Sequence, residues 1–252
     1  MAKYGQLKKS RYGFTMPVTA PAVQSPPFYY RNMEMIIVEY RTAEEEALEL
    51  LPDGLELLEP ATASLVIAKY HFSTFGPYNE AILCLGCKWQ GEPMSFLPNL
   101  FVTQEAPLIA GREIWGYAKK LAHVDVLKEH EEYMGIIERP RGNRLATAVM
   151  RTVRNVPADQ FKFPKILSLK VIPNAEESES PAIAQLVSCD FRVTPVVATD
   201  GLAEVWSGPG SLVYNSPTVV DPWHLLSVKE IVSCRYGWFN AYLPYGKILT
   251  EY

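Results

Sequence analysis

Short apolar runs broken by Pro, Gly and Asn dominate the chain from residue 33 onward. MEMIIVEY (33–40), ATASLVIAKYHF (61–72), EAILCLGCKW (80–89) and SFLPNLFVTQ (95–104) are rich in β-branched and aromatic residues and predict strands. The same composition recurs in YMGIIER, RLATAVMRTV, ILSLKVIP, AIAQLVSCDFRVTPVV, AEVWSGPGSLVY and KEIVSCRYGWFNAYL. Pro140-Arg-Gly-Asn143 predicts a hairpin turn, and the acidic stretch NAEESESPA (174–182) an exposed loop. Helical signals are few. Thr42-Ala-Glu-Glu45 matches a capping box ahead of EEALELL, closed by Pro52, Asp53 and Gly54. A second short helix is expected near Trp223–Leu226, after Asp221-Pro222. Residues 1–27 are rich in Pro, Ser and Ala and read as an extended arm that packs on its own domain or on a neighbouring subunit. No repeat or composition break divides the rest. The pattern predicts one mainly antiparallel β domain over 1–252 (α+β by virtue of a few short helices), closed or sandwiched.

Composition removes whole classes of function. With 48% apolar and 21% charged residues, the chain matches an average globular domain. A net charge of −4 leaves no basic footprint for nucleic acid. No apolar run approaches the ~20 residues of a membrane-spanning helix. The N-terminus has charge without the apolar segment of a secretory signal, so a cytoplasmic, reducing location is expected. Cys84 and Cys87 form a lone C-x-x-C inside a predicted strand, without a second pair at metal-ligand spacing. His71, His123, His130 and His224 are scattered, so no metal site is expected. Neither a P-loop, a nucleophile elbow nor a dinucleotide glycine pattern is present, and the G-x-G at 208–210 lacks a βαβ setting.

One segment carries candidate chemistry: Gly111-Arg-Glu-Ile-Trp-Gly-Tyr-Ala-Lys-Lys120. Two lysines end it among Ile114, Trp115, Tyr117, Leu121 and Ala122. Burial disfavours the charged form of an amine, and a free amine attacks a carbonyl. The alternative is an ordinary exposed lysine pair at a strand end.

GREIWGYAKK resembles the G-R-E-x-x-x-(F/Y)-P-K-K signature of the acetoacetate decarboxylase family. YRT (40–42), YNE (78–80), LKVIPN (169–174), EVWSGP (204–209) and SVKEIVS (227–233) match in the same order, so the resemblance spans nearly the whole chain. It implies a closed antiparallel β-barrel or cone with an extra sheet, a homo-oligomer (dimer-based, a tetramer or larger) with the arm as a strap, and covalent chemistry on a lysine without a bound cofactor. Lys119 matches the Schiff-base lysine and Lys120 its neighbour. Glu80 matches an acidic pocket residue, and Tyr78, two positions before it, shares its face on a strand. Counted without gaps, a family arginine falls on Met33 and a second pocket glutamate on Leu65, while Ala118 replaces the usual proline. Arg31, two residues from Met33, is a candidate for a displaced cation. If Lys119 and Lys120 are extended, they point to opposite faces. Desolvation by Trp115 and Tyr117 is then the larger influence on Lys119 and the charge of Lys120 the smaller. Tyr252, in an apolar C-terminal segment, is expected to pack as a terminal strand or to reach the pocket mouth as a lid or proton donor.

The resemblance implies a lysine imine formed with a short keto acid. Loss of the charged pair favours a pyruvate aldolase-dehydratase, which joins an aldehyde to a pyruvate enamine and expels water, or runs in reverse. The alternatives are a β-keto acid decarboxylase and a non-catalytic β-barrel binding protein.

Overall fold

The computed structural model describes residues 1–252. After the arm come β1 (Phe28–Arg41), α1 (Glu44–Leu48), β2 (Glu56–Leu57), β3 (Thr62–Ser73), β4 (Tyr78–Trp89) and β5 (Glu92–Val102). Next are α2 (Glu105–Ala110), a π-helical turn (Gly111–Trp115), β6 (Lys119–Leu121), β7 (His123–Glu129), β8 (Glu132–Glu138), β9 (Arg144–Arg151) and β10 (Arg154–Asn155). The chain ends with β11 (Lys165–Ile172), β12 (Ile183–Cys189), β13 (Arg192–Pro195), β14 (Val205–Gly208), β15 (Gly210–Tyr214), β16 (Glu230–Leu243) and β17 (Lys247–Glu251).

Two sheets result. The larger has 13 strands along the path β10-β14-β16-β1-β3-β4-β5-β11-β12-β17, with β13 beside β16, β2 beside β4 and β6 beside β5. The smaller runs β15-β9-β8-β7. The fold is mainly β, as the apolar runs predict. The large sheet differs from a closed antiparallel barrel in two respects. Its path is open, ending at β10 and β17, and β5 pairs in parallel with both β6 and β11.

The central strands are buried on both faces, which explains their continuous apolar runs. Residues 33–38 of β1 are all buried. One face of the large sheet (Ile36, Val38, Leu65, Ile67, Leu83) packs on the small sheet (Val124, Ile137, Ala146, Ala148, Met150). The other face gathers Tyr30, Met33, Tyr70, Leu97, Leu100, Tyr117, Phe239 and Leu243 into a second core. Strands distant along the path meet in this second core, so the sheet curls around it. The candidate site lies there.

The helices depart from their sequence signals. α1 starts at Glu44 with Ala43 at its cap, and Thr42 makes no capping bond. Glu46 instead accepts from the Ser227 amide (3.0 Å) and its hydroxyl, tying the helix to the segment that leads into β16. α2 has only six residues with Pro107 in its first turn, too short to leave a helical period in the sequence. The Asp221-Pro222 signal does precede a 3-10 turn, Trp223–Leu225, and residues 139–143 do close the β8–β9 hairpin. No helix is long and apolar enough to cross a membrane.

Candidate active site

The segment that carries the two lysines leaves α2 through a π-helical turn, the kind of single-turn insertion found often at functional sites. The turn ends at Gly116 with φ +78°, where a Cβ would fall on the backbone and Cβ of Lys170, so only glycine fits. Its last carbonyls find donors on β11. The Ser168 hydroxyl donates to Trp115 O (2.6 Å) and Lys170 Nζ to Ile114 O (3.3 Å). Beyond Tyr117 the chain joins β5 in parallel, setting Lys119 opposite Leu100. Arg112 Nη1 donates to the Lys119 carbonyl (3.2 Å), fixing the strand end on the turn before it.

Lys119 is 6% exposed and its Nζ lies 2.8 Å from Glu80 Oε1 on β4. The contact is an ion pair by distance but lies off the hydrogen-bonding direction, so Oε1 has no hydrogen-bond donor in the protein. Glu80 Oε2 accepts from the Tyr70 hydroxyl (2.8 Å), which holds the carboxylate in place. Burial and the nearby Glu80 charge push the Tyr70 hydroxyl well above the usual phenol range, so it acts here as a donor. Pairing answers the cost of burying both charges: an ammonium or carboxylate alone in such a site loses several kcal/mol of solvation.

The pair opens on a cavity of about 40 Å³. Its polar lining is Lys119, Glu80, Tyr30, Tyr70 and Tyr117; the rest is Ile82, Leu97, Leu100, Ile166, Phe191 and Leu243. That volume approximates one or two water molecules at ~30 Å³ each, so a keto acid enters only when lining side chains turn aside. The Tyr117 ring stacks on Trp115 at 5.5 Å and 9°, and Trp115 is itself pinned by its indole N–H to Pro244 O (3.0 Å). Lys119 Nζ stands 5.7 Å from the Tyr117 ring centroid.

The other sequence candidates lie elsewhere. Tyr78 is buried on the same side as Glu80, but its hydroxyl donates to Tyr30 (3.4 Å) and it packs behind Tyr70 rather than lining the cavity. Met33 and Trp115 are fully buried supporting residues. Leu65 points into the core between the sheets, because β3 places 66, 68 and 70 on the cavity side and 65 and 67 on the other. Arg31 is outside as well. Asn32 has φ +50° and the β1–β16 register shifts between Tyr30 and Met33, so this bulge turns Tyr30 inward and leaves Arg31 exposed against Tyr29. Lys120 is on the opposite face from Lys119, as extended backbone requires. Its Nζ reaches Asp221 Oδ1 (3.0 Å) and the Val220 carbonyl. Tyr252 is exposed and its hydroxyl donates to Asp53 O (2.7 Å), away from the cavity.

Sequence reasoning missed Tyr70, Tyr30 and Phe191. Tyr70 had a signal: it is the last of the alternate inward positions 66, 68 and 70. Lys120 has a structural task. It shares the buried Asp221 carboxylate with Arg139 Nη1 (2.7 Å), stapling β6 to the Trp223 turn and the β8–β9 hairpin. Asp221→Ala leaves two half-exposed cations rather than buried ones, so we expect a loss of about 1–3 kcal/mol in urea unfolding, with imine formation at Lys119 retained.

The model of the family described as acetoacetate decarboxylase matches residues 15–252. An acetoacetate decarboxylase of Mesorhizobium japonicum is 31% identical over 244 residues, covering 95% of this chain and 89% of that protein. One from Acidiphilium cryptum is 28% identical, covering 95% of each. The crystal structure of the Legionella pneumophila acetoacetate decarboxylase superposes with a TM-score of 0.85 at 29% identity, over 100% of this chain and 99% of that one. The enduracididine biosynthesis enzyme MppR, solved with pyruvate, shares the fold at a TM-score of 0.79 and 20% identity, over 96% of this chain and 99% of that one. The chain belongs to the acetoacetate decarboxylase family, a family of carbon–carbon lyases.

Proposed function

We propose that this protein is an imine-forming decarboxylase of a small β-keto acid, with Lys119 as the nucleophile. The observation that carries this reading is the buried Lys119–Glu80 pair facing a cavity whose remaining wall is mostly apolar and holds no second cation. Glu80 takes a proton from Lys119 as the substrate displaces water, and the free amine adds to the ketone carbon. Glu80 then returns the proton to the carbinolamine oxygen, which leaves as water and gives an iminium. The C–C bond to the carboxylate breaks, its electron pair moves toward the iminium, and CO₂ departs, leaving the enamine. Protonation at carbon and hydrolysis release the ketone and restore the amine. The iminium is the electron sink, so the lysine supplies what a separate cofactor supplies elsewhere. An apolar wall favours the step in which a carboxylate becomes neutral CO₂, because the charge that such a wall solvates poorly disappears.

The missing charged pair thus bears differently on the two reactions. A pyruvate aldolase-dehydratase keeps its carboxylate throughout and is served poorly by a cavity without a free cation. One observation favours it as a second reading. Glu80 Oε1 and the Tyr117 hydroxyl have no hydrogen-bond partner in the protein, and aldol dehydration needs one acceptor and one donor. MppR has also been solved with the condensation product of pyruvate and imidazole 4-carboxaldehyde, on this same fold. The exposed arm suits a strap between subunits of a homo-oligomer.

Borohydride trapping with acetoacetate and, separately, with pyruvate, alongside CO₂ measurement, separates the readings. Catalytic CO₂ release from acetoacetate with a reduced adduct on Lys119 is expected. A pyruvate adduct without CO₂ from acetoacetate would move the assignment to the aldolase. No adduct with either ketone would leave a binding protein.

A further inference from the structure

The proposed reaction brings an anionic substrate into a site whose only cation is consumed by the chemistry. Every other positive group near the segment is committed elsewhere. Lys120 is held by Asp221, Arg112 by the Lys119 carbonyl, and Lys170 by the Ile114 carbonyl. Arg31 lies outside, donating to Tyr30 O. What remains in the cavity is neutral: the Tyr30 hydroxyl, which accepts from Tyr78, and the Tyr117 hydroxyl, which alone of the lining phenols has no hydrogen-bond partner. The Tyr117 side chain is 5% exposed, and its hydroxyl oxygen is buried without a hydrogen-bond partner. Its neighbour, the Cys189 thiol, donates to the Pro244 carbonyl (3.7 Å) and so offers Tyr117 only its sulfur, a weak acceptor. Leaving such a hydroxyl unpaired is a cost the fold bears unless an incoming group relieves it.

Resting on the lysine reading above, we propose that the Tyr117 hydroxyl receives the carboxylate of the keto-acid substrate, so that this site holds small monoanionic keto acids through a neutral donor. Stacking on Trp115 fixes the ring, whose centroid lies 5.7 Å from Lys119 Nζ, so the hydroxyl is held in one place. Burial pushes this hydroxyl well above the usual phenol range, so it stays a donor across the physiological pH range. A hydrogen bond to a carboxylate strengthens binding in the ground state. As CO₂ forms, the accepting charge fades and the bond weakens. Tyr117 therefore contributes to binding and not to the bond-breaking step.

That assignment splits the kinetic constants. Tyr117→Phe removes only the hydroxyl and keeps the stacked ring. Loss of one hydrogen bond to a charged group predicts a rise in KM for acetoacetate of about tenfold or more, with kcat unchanged or slightly higher. Borohydride trapping of acetone, which has no carboxylate, proceeds in the variant as in the unmodified protein. Equal impairment with acetone would reduce Tyr117 to a packing role. A fall in kcat at constant KM would make it a proton donor in the transition state. An unchanged KM for acetoacetate would also overturn the anchor while leaving the lysine assignment intact. An unmodified protein that traps neither ketone fails at Lys119, and the anchor then falls with it.

Discussion

Lys119→Ala is expected to abolish the borohydride-trapped adduct and to reduce CO₂ release from acetoacetate to background. The loss should exceed about 10⁴-fold, more than general acid–base catalysis by Glu80 supplies on its own, because no other amine lines the cavity. Lys120 cannot substitute, since its ammonium is on the far face of the same strand with Asp221. The same change has a structural cost. Glu80 is 4% exposed, and without Lys119 its carboxylate keeps only the Tyr70 hydroxyl. Breaking a buried pair from one side typically costs about 3–5 kcal/mol, whereas replacing both charges is often neutral. Lys119→Met alone should therefore lower urea stability, and the double variant Lys119→Met with Glu80→Gln should recover most of it. Mass analysis of the reduced protein reads the chemistry, and unfolding curves read the stability. If Lys119→Ala still formed the adduct, the nucleophile would be elsewhere.

Gly111→Ala should come next in effect on activity, for a reason the backbone does not announce. Gly111 has φ −58° and ψ −47°, ordinary helical values that alanine adopts more readily than glycine. The constraint is the lysine. A Cβ at this position would stand 2.6 Å from Lys119 Cδ and 2.7 Å from Cε, well inside van der Waals contact. The stem must swing away, carrying Nζ from Glu80 and from the carbonyl it attacks. Misplacing a reacting group by about 1 Å costs on the order of 10²-fold in rate. We expect kcat to fall by that factor while the thermal melting temperature moves by no more than a few degrees. A variant with full activity would show that the lysine has a second productive seat.

The strands were legible because each apolar run is bracketed by Pro, Gly or polar breakers, and β3, β4, β5, β8, β9, β11 and β16 fall on such runs. β7 was not, since HVDVLKE alternates charged with apolar residues and looks like an exposed segment; only its packing on the large sheet buries Val124 and Val126. The helical turn between α2 and Gly116 was invisible for a different reason. It carries no periodicity of its own and is held by groups on β11, about fifty residues later. At the site, Lys119 and Glu80 stood out because the motif names them, whereas Tyr70 and Tyr30 depend on strand register. The bulge at Asn32 decides whether Tyr30 or Arg31 faces inward, and the β3–β4 register decides that Tyr70 lies close to Glu80. Neither can be counted from spacing along one strand.

The run AEVWSGPGSLVY reads as one strand but is divided at Pro209 between β14 in the large sheet and β15 in the small one. Its partner does the same: β9 belongs to the small sheet and β10 to the large, and the two passages face each other, with Arg151 N–H donating to Pro209 O (3.0 Å) and Val153 N–H to Ser207 O (3.0 Å). A paired ribbon, instead of a single thread, therefore carries the chain from one layer to the other. Neither layer can peel away without opening this seam, so the two sheets are coupled mechanically as well as by their shared core. The cavity faces the opposite side of the large sheet, and its walls inherit that stiffness. In a site this tight, the side chains that turn to admit substrate move against a wall that the seam helps to hold still.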